Sequence, residues 1–255
     1  MIKNLYNYRE LLKSNIKKEI RGKYKGSFLG VLWSFINPLL QVAVYAIVFP
    51  YIMRIKTDNY LQYLIIGIIP WTFFTTVINQ GMITVRMNAG IIKKVYFPRE
   101  ILPISVALSG LVNFFISCII IVLFCVFGGI GISWHIALLP VVAIIQFFFT
   151  LGLVFAFSAI NIYIKDVEYI VQFIINMLFY GTPILYSVEL FPEKMRWLLY
   201  MNPLTEIINF YRDIFMYHRL PEITPVLYLL GVTVVIFFVG LAIFRKLEKG
   251  FAEEV

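Results

Sequence analysis

Charged residues are scarce. They make up 14% of the 255 residues while hydrophobic residues make up 61%, against roughly 25% and 45–50% in soluble domains. That balance excludes an ordinary soluble domain. Cysteine is nearly absent: Cys118 and Cys125 stand alone, seven residues apart in one apolar run. On a helix they would lie about 10 Å apart along the axis, too far for a disulfide. Histidine is limited to His135 and His218. None of the four stands at metal-ligand spacing, so they read as packing residues. No G-x-x-x-x-G-K-[ST], H-E-x-x-H or G-x-S-x-G pattern occurs. No pair of carboxylates falls mid-span, where a proton relay would need one. These gaps argue against a self-contained ATPase and an ion-coupled carrier. No catalytic residue and no metal site are assigned, and energy, if used, comes from another chain.

What the chain does have is long apolar runs. Several stretches of about 20 residues carry no charge, the mark of membrane helices. The chain reads as an all-α polytopic membrane protein, a single transmembrane domain over 1–255. Its six transmembrane helices are expected at about 28–53, 60–85, 101–127, 136–163, 169–187 and 224–244. Asn37-Pro38 predicts a kink in the first span, and Pro70-Trp71 a break in the second. Over 3–25, Leu5, Tyr8, Leu12, Ile16, Ile20 and Tyr24 recur at helical spacing, beside a stripe of Lys13, Lys17, Arg21 and Lys25. This predicts an N-terminal amphipathic interface helix, with its cations toward anionic head groups. A charged segment of over 25 residues before the first apolar run is not a secretory-signal pattern.

Arg86 to Pro103 is a charged island between two spans, with cations Arg86, Lys93, Lys94 and Arg99. Ala89 to Phe97 predicts about two helical turns, closed by Pro98 and Pro103. Four cations hold such a loop on the cytoplasmic side. Mere connection needs fewer residues, so the island reads as touching something in the cytosol. An ordinary positive-inside loop would carry the same charge. With six spans both termini share a face. That face holds sixteen Lys/Arg against six opposite, so multi-pass insertion with both termini cytoplasmic is expected. The net charge of +8 is then a topology signal, and no nucleic-acid partner is expected.

Residues 188–223 are too polar to span and too apolar for a plain loop. Pro192 opens one short helix ending near Met201. Asn202-Pro203 supplies an N-cap and a first-position proline for a second. Leu204, Ile207, Ile208 and Tyr211 form one face, Glu206, Asn209 and Asp213 another. A re-entrant helical hairpin dipping into the outer leaflet is expected. The alternative is a pair of surface helices lying flat. Phe and Tyr number 24 and 16. Such rings suit stacking on sugar faces, though most serve packing and anchoring. Those near the predicted kinks, Trp33, Phe35, Tyr45, Trp71 and Phe74, are the candidates for a substrate path.

Five blocks then stand out in order: R-G-K-Y-K-G-S-F-L-G-V-L-W-S-F-I-N-P at 21–38, G-I-I-P-W-T-F-F at 67–74, A-G-I-I-K-K-V-Y-F-P-R-E-I-L-P at 89–103, N-I-Y-I-K-D-V at 161–167 and M-N-P-L-T-E-I-I-N-F-Y-R at 201–212. Together they resemble ABC-type polysaccharide and polyol-phosphate export permeases. One position departs: Lys165 precedes Asp166 where members often carry arginine.

The resemblance implies a transmembrane subunit of an ATP-hydrolysing translocase. It would move a lipid-linked polysaccharide (O-antigen, capsule or teichoic acid) across the bacterial inner membrane. It implies a homodimer with two nucleotide-binding ATPase subunits. Those subunits bind the ATP and Mg, with no cofactor in this chain. Coupling to the ATPase would fall to Asn88, Ile91, Ile92, Lys93, Lys94 and Val95 within 86–100. Arg21, Lys23, Lys25 and Arg86 would meet a phosphate head group at the entrance. Asn202, Pro203, Glu206 and Arg212 in the hairpin would shape an outer gate. Other readings are a drug or small-lipid exporter permease, a passive channel, and a membrane enzyme acting on lipid-linked sugars. For the enzyme, Asp166 and Glu168 form the close acidic pair at the inner face.

Overall fold

The computed structural model describes residues 6–24, 26, 28–53 and 59–254; the side chains of 23, 24, 31, 34, 50–53 and 252 fall outside that description. Among the described residues, every regular element is helical. In chain order these are α1 (Arg9–Tyr24), α2 (Trp33–Met53), α3 (Tyr60–Met87), α4 (Ala89–Ile92), α5 (Ile101–Phe127) and α6 (Leu139–Tyr163). There follow α7 (Val167–Tyr180), α8 (Arg196–Tyr200), α9 (Pro203–Phe215), α10 (Ile223–Leu247) and α11 (Phe251–Glu254). Residues 3–5 and 25 of the expected interface helix, and the loop at 54–58, lie outside the described residues.

Among the described residues, four helices are long and apolar enough to cross a membrane: Tyr60–Met87, Ile101–Phe127, Trp134–Tyr163 and Ile223–Gly250. α3 is the axis of the bundle. Of its most apolar stretch 78% is buried inside the protein, against 22% for the last helix. α3 packs on α2, α5, α6 and α9. Phe73 meets Phe114 of α5 at 5.4 Å and Phe74 meets Phe149 of α6 at 6.1 Å between ring centres.

The expected break at Pro70 is not there. α3 runs unbroken from Tyr60 to Met87. Proline removes the N–H that the Ile66 carbonyl would take, but neighbours hold the helix in register. Thr72 Oγ1 donates to the Ile68 carbonyl at 2.8 Å. Gln146 Nε2, from α6, donates to the Pro70 carbonyl at 2.9 Å. Tyr211 of α9 in turn donates its hydroxyl proton to Gln146 Oε1 at 2.8 Å. α2 is likewise helical through Asn37-Pro38.

The contact between α6 and α10 is set by two glycines. A Cβ on Gly240 would run into the Gly152 backbone, and one on Gly152 into the backbone at Ile236 and Phe237. The main chains therefore touch, a packing only small residues allow.

Two elements are shorter than the sequence predicts. The fifth span was expected over 169–187, yet α7 stops at Tyr180 and 181–187 turns away. Pro183 has no N–H to extend a helix. Groups elsewhere in the fold take the carbonyls that follow: Tyr60 hydroxyl bonds Leu185 O at 2.8 Å and Tyr63 hydroxyl bonds Tyr186 O at 2.7 Å. The 86–100 island holds one helical turn, Ala89–Ile92, instead of two. Val95 and Tyr96 prefer extended backbone, and Pro98 pushes Phe97 there.

Candidate functional site

At one end of the bundle the 88–97 segment forms an exposed knuckle. Its four-residue helix leaves Ile91, Lys93, Lys94 and Val95 outside, and Tyr96 is 90% exposed. Asn88 and Ile92 are buried and face the protein. Asn88 holds the knuckle to its neighbours. Its Nδ2 donates to Thr84 O at 2.8 Å, and its Oδ1 accepts from Lys18 Nζ of α1 at 3.2 Å. Beside Lys18, burial pushes the Glu19 carboxyl above its ordinary range, against the pull of that lysine. On the far side of the knuckle, Arg245 Nε bonds Glu100 Oε1 at 2.9 Å and Arg99 donates to the Glu248 carbonyl. Arg99 also lies 5.7 Å over the ring of Phe251, which is buried against Phe244.

Arg86, in the last turn of α3, is engaged as well. Its Nη2 donates to Glu168 Oε2 in the first turn of α7 at 2.9 Å. Each charge suits its own helix end, cation at the C-terminus and carboxylate at the N-terminus. Of the four cations expected to meet a head group, Arg21 is exposed and Arg86 is held by Glu168. The Lys23 side chain and Lys25 fall outside the described residues.

Between α2, α3 and α7 lies a cleft of about 580 Å³. Its aromatic wall is Tyr45, Trp71, Phe179 and Tyr180; its amides are Gln41, Asn79 and Asn176. Phe179 sits 5.5 Å from Trp71 and 5.9 Å from Tyr45 between ring centres. Asn79 Oδ1 is buried with no hydrogen-bond partner among the described residues. Among the described residues, no carboxylate or cation lines the cleft. Flat rings beside amides match a sugar, whose C–H face stacks and whose hydroxyls exchange hydrogen bonds. Two of the five expected path residues, Tyr45 and Trp71, are brought together here. Phe74 backs Trp71 at 5.6 Å but is buried behind it. Trp33 and Phe35 sit about 9–12 Å before Gln41 on α2, outside the cleft. Asn176, Phe179 and Tyr180 were missed. Their i, i+3, i+4 spacing puts them on one face of α7, a signal present in the sequence.

At the other end, α8, α9 and the 181–187 turn form a compact cap. Asn202 caps α9 by accepting from Leu204 N at 3.0 Å. Its Nδ2 donates to Thr182 Oγ1 at 2.9 Å and Gly181 O at 3.3 Å. Pro203 then takes the first helical position. Arg212, 2% exposed, is the centre of the cap. It donates to Pro183 O at 2.7 Å and Ile184 O at 3.1 Å, and its guanidinium lies 3.5 Å over the Tyr63 ring. No described carboxylate pairs with it. Gly67 of α3 makes the room: a Cβ there would stand 3.2 Å from Arg212 Nη2. Glu206 faces a different, polar cleft of about 470 Å³ with Asn209, Asp213 and Glu222.

The architecture is that of a polytopic helical membrane protein with an uncharged aromatic cleft. The profile of the ABC-2 type transporter family matches residues 10–216, and the chain belongs to that family. It is 34% identical to the O-antigen export system permease protein RfbA of Myxococcus xanthus, over 100% of this chain and 99% of the relative. It is 38% identical to an RfbA permease of Klebsiella pneumoniae, over 96% and 94%. It is 22% identical to the polysialic acid transport protein KpsM of Escherichia coli, over 91% of each. The resemblance read from the five sequence blocks is borne out.

Proposed function

We propose that this chain is the transmembrane permease subunit of an ATP-driven exporter. Its cargo is a lipid-linked polysaccharide of the O-antigen type, moved across the bacterial inner membrane. The end-to-end similarity to O-antigen export permeases carries the reading. The aromatic, uncharged cleft supports it. A long polar chain must slide, and stacking contacts without ion pairs favour passage over retention.

In this reading α2 and α7 join the four long helices as spans, making six with both termini cytoplasmic. α7 has 14 residues, about 21 Å of helix, short of the roughly 30 Å hydrocarbon layer. The 181–187 turn and the α8–α9 cap, as a re-entrant hairpin, fill the remaining depth. Two copies pair, and two ATPase subunits that bind ATP and Mg dock beneath them. No catalytic site belongs to this chain. Ile91, Lys93, Lys94 and Val95 form the docking face, with Tyr96 added; Asn88 and Ile92 anchor it from inside. Arg21, with Lys23 and Lys25, receives the phosphate head. Asn202, Pro203, Glu206 and Arg212 shape the outer gate.

Depletion of the chain in its native cell tests this. Lipid-linked polymer should accumulate inside, and re-expression with its ATPase subunit should clear it. Normal polymer export on depletion, with changed drug tolerance instead, would overturn the reading in favour of a small-molecule exporter.

A further inference from the structure

We infer that the Arg86–Glu168 ion pair is the linkage that carries movement of the 88–97 knuckle to α7, the mobile wall of the aromatic cleft. This rests on the exporter reading above and assigns two positioning residues within it.

α7 is weakly held along its length. Of its 14 residues only Val171 and Ile175 are buried. Tyr169, Ile170, Phe173, Ile174 and Met177 are all exposed. Its outer end is fixed: the 181–186 turn that follows is held by Asn202, Tyr60, Tyr63 and Arg212. Its inner end is held by Glu168. Among the described residues, no other side-chain hydrogen bond or ion pair joins the helix to α3. The helix is thus a bar with a pivot at one end and a handle at the other.

The handle is attached where force would arrive. Arg86 stands two residues before Asn88, the root of the knuckle, on a helix that is rigid and mostly buried. Displacing the knuckle displaces Arg86, and Glu168 follows. A swing of α7 about its outer turn then moves Asn176, Phe179 and Tyr180 relative to Tyr45 and Trp71, changing the width of the cleft. The pair has little value as a stabiliser: its side chains are 36% and 29% exposed, and pairs that wet contribute little to folding. What it supplies is direction. Holding Arg86 in this pair also takes it away from any phosphate.

Charge reversal tests this in the full complex. Arg86→Glu and Glu168→Arg should each lower polymer export by about tenfold, with the ATPase subunit still co-purifying and hydrolysing ATP; the double swap should recover to within about threefold of the parent. Spin labels at Phe173→Cys and Phe238→Cys report α7 against α10, since native Cys118 and Cys125 are buried. Their separation should shift on ATP binding, stay fixed in Arg86→Gln and Glu168→Gln, and shift again in the double swap. Unimpaired export in the single reversals would overturn the linkage. So would a double swap that stays inactive, the result expected if Arg86 binds the phosphate head. Failure of the parent chain itself to export polymer would instead overturn the exporter reading.

Discussion

Replacing Arg212 by methionine removes the centre of the α8–α9 cap at nearly constant volume. Two charge-assisted hydrogen bonds, to Pro183 O and Ile184 O, disappear. Each carbonyl left bare in a buried site costs about 1–3 kcal/mol. The contact with the Tyr63 ring at 3.5 Å adds about 2 kcal/mol when desolvated. Against these stands the relief of no longer burying an uncompensated charge, itself several kcal/mol. The net is a local loss of about 2–4 kcal/mol, which corresponds to roughly 30-fold to 900-fold in the opening equilibrium. The loss should stay local, because α6 and α10 are held to each other at Gly152 and Gly240, main chain against main chain, away from the 181–187 turn. Hydrogen exchange on the purified protein reads it directly. Amides at 181–187 should exchange faster by that factor, while those of α6 and α10 keep their rates. An acceleration of less than about threefold would refute the reasoning: water or another donor would then be serving both carbonyls, and Arg212 would not hold the turn.

Three further outcomes follow from the packing. Gly240→Val should lower the melting temperature by about 5–10 °C, since overpacking costs about 1–3 kcal/mol and here the obstacle is backbone; a thermal-shift assay checks it. Ile91→Asp with Val95→Asp should abolish co-purification with the ATPase subunit at normal membrane yield. Ile92→Asp should instead reduce the yield, because that side chain is buried. Trp71→Ala should lower polymer export by about tenfold, the effect of losing a stacking platform worth roughly 1.5 kcal/mol, with ATP hydrolysis retained in the purified complex.

The cores of the spans were legible because uncharged runs of helix length have few alternatives in a membrane. The ends of α3 and α5 at Tyr60, Met87, Ile101 and Phe127 lie within two residues of the expected limits. The Asn202-Pro203 start of α9 was legible because a cap and a first-position proline are local chemistry. Apart from the single turn at Ala89–Ile92, cut short by local extended preferences, the failures are non-local. Pro70 reads as a break, and the tie from Gln146, 76 residues away, that braces the helix at that point is not visible in the sequence. The run through Leu178 to Tyr186 reads as a continuing span, since Tyr60, Tyr63, Asn202 and Arg212, which hold its departure from the helix, lie elsewhere in the chain. The Arg86–Glu168 pair is invisible in the sequence, because Glu168 lies 82 residues further along the chain. In the cleft, kink-based reasoning found Tyr45 and Trp71 but not the α7 face opposite them, for α7 contains no kink to mark it.

The meeting of Gly152 and Gly240 has a consequence for how this molecule can be measured. Because the obstruction at that crossing is main chain, no compensating exchange of neighbouring side chains can relieve it, and the two helices cannot approach more closely than they do. That distance is a floor: motion at the crossing can only open it, and a probe pair straddling it should never read a shorter separation in any state of the cycle.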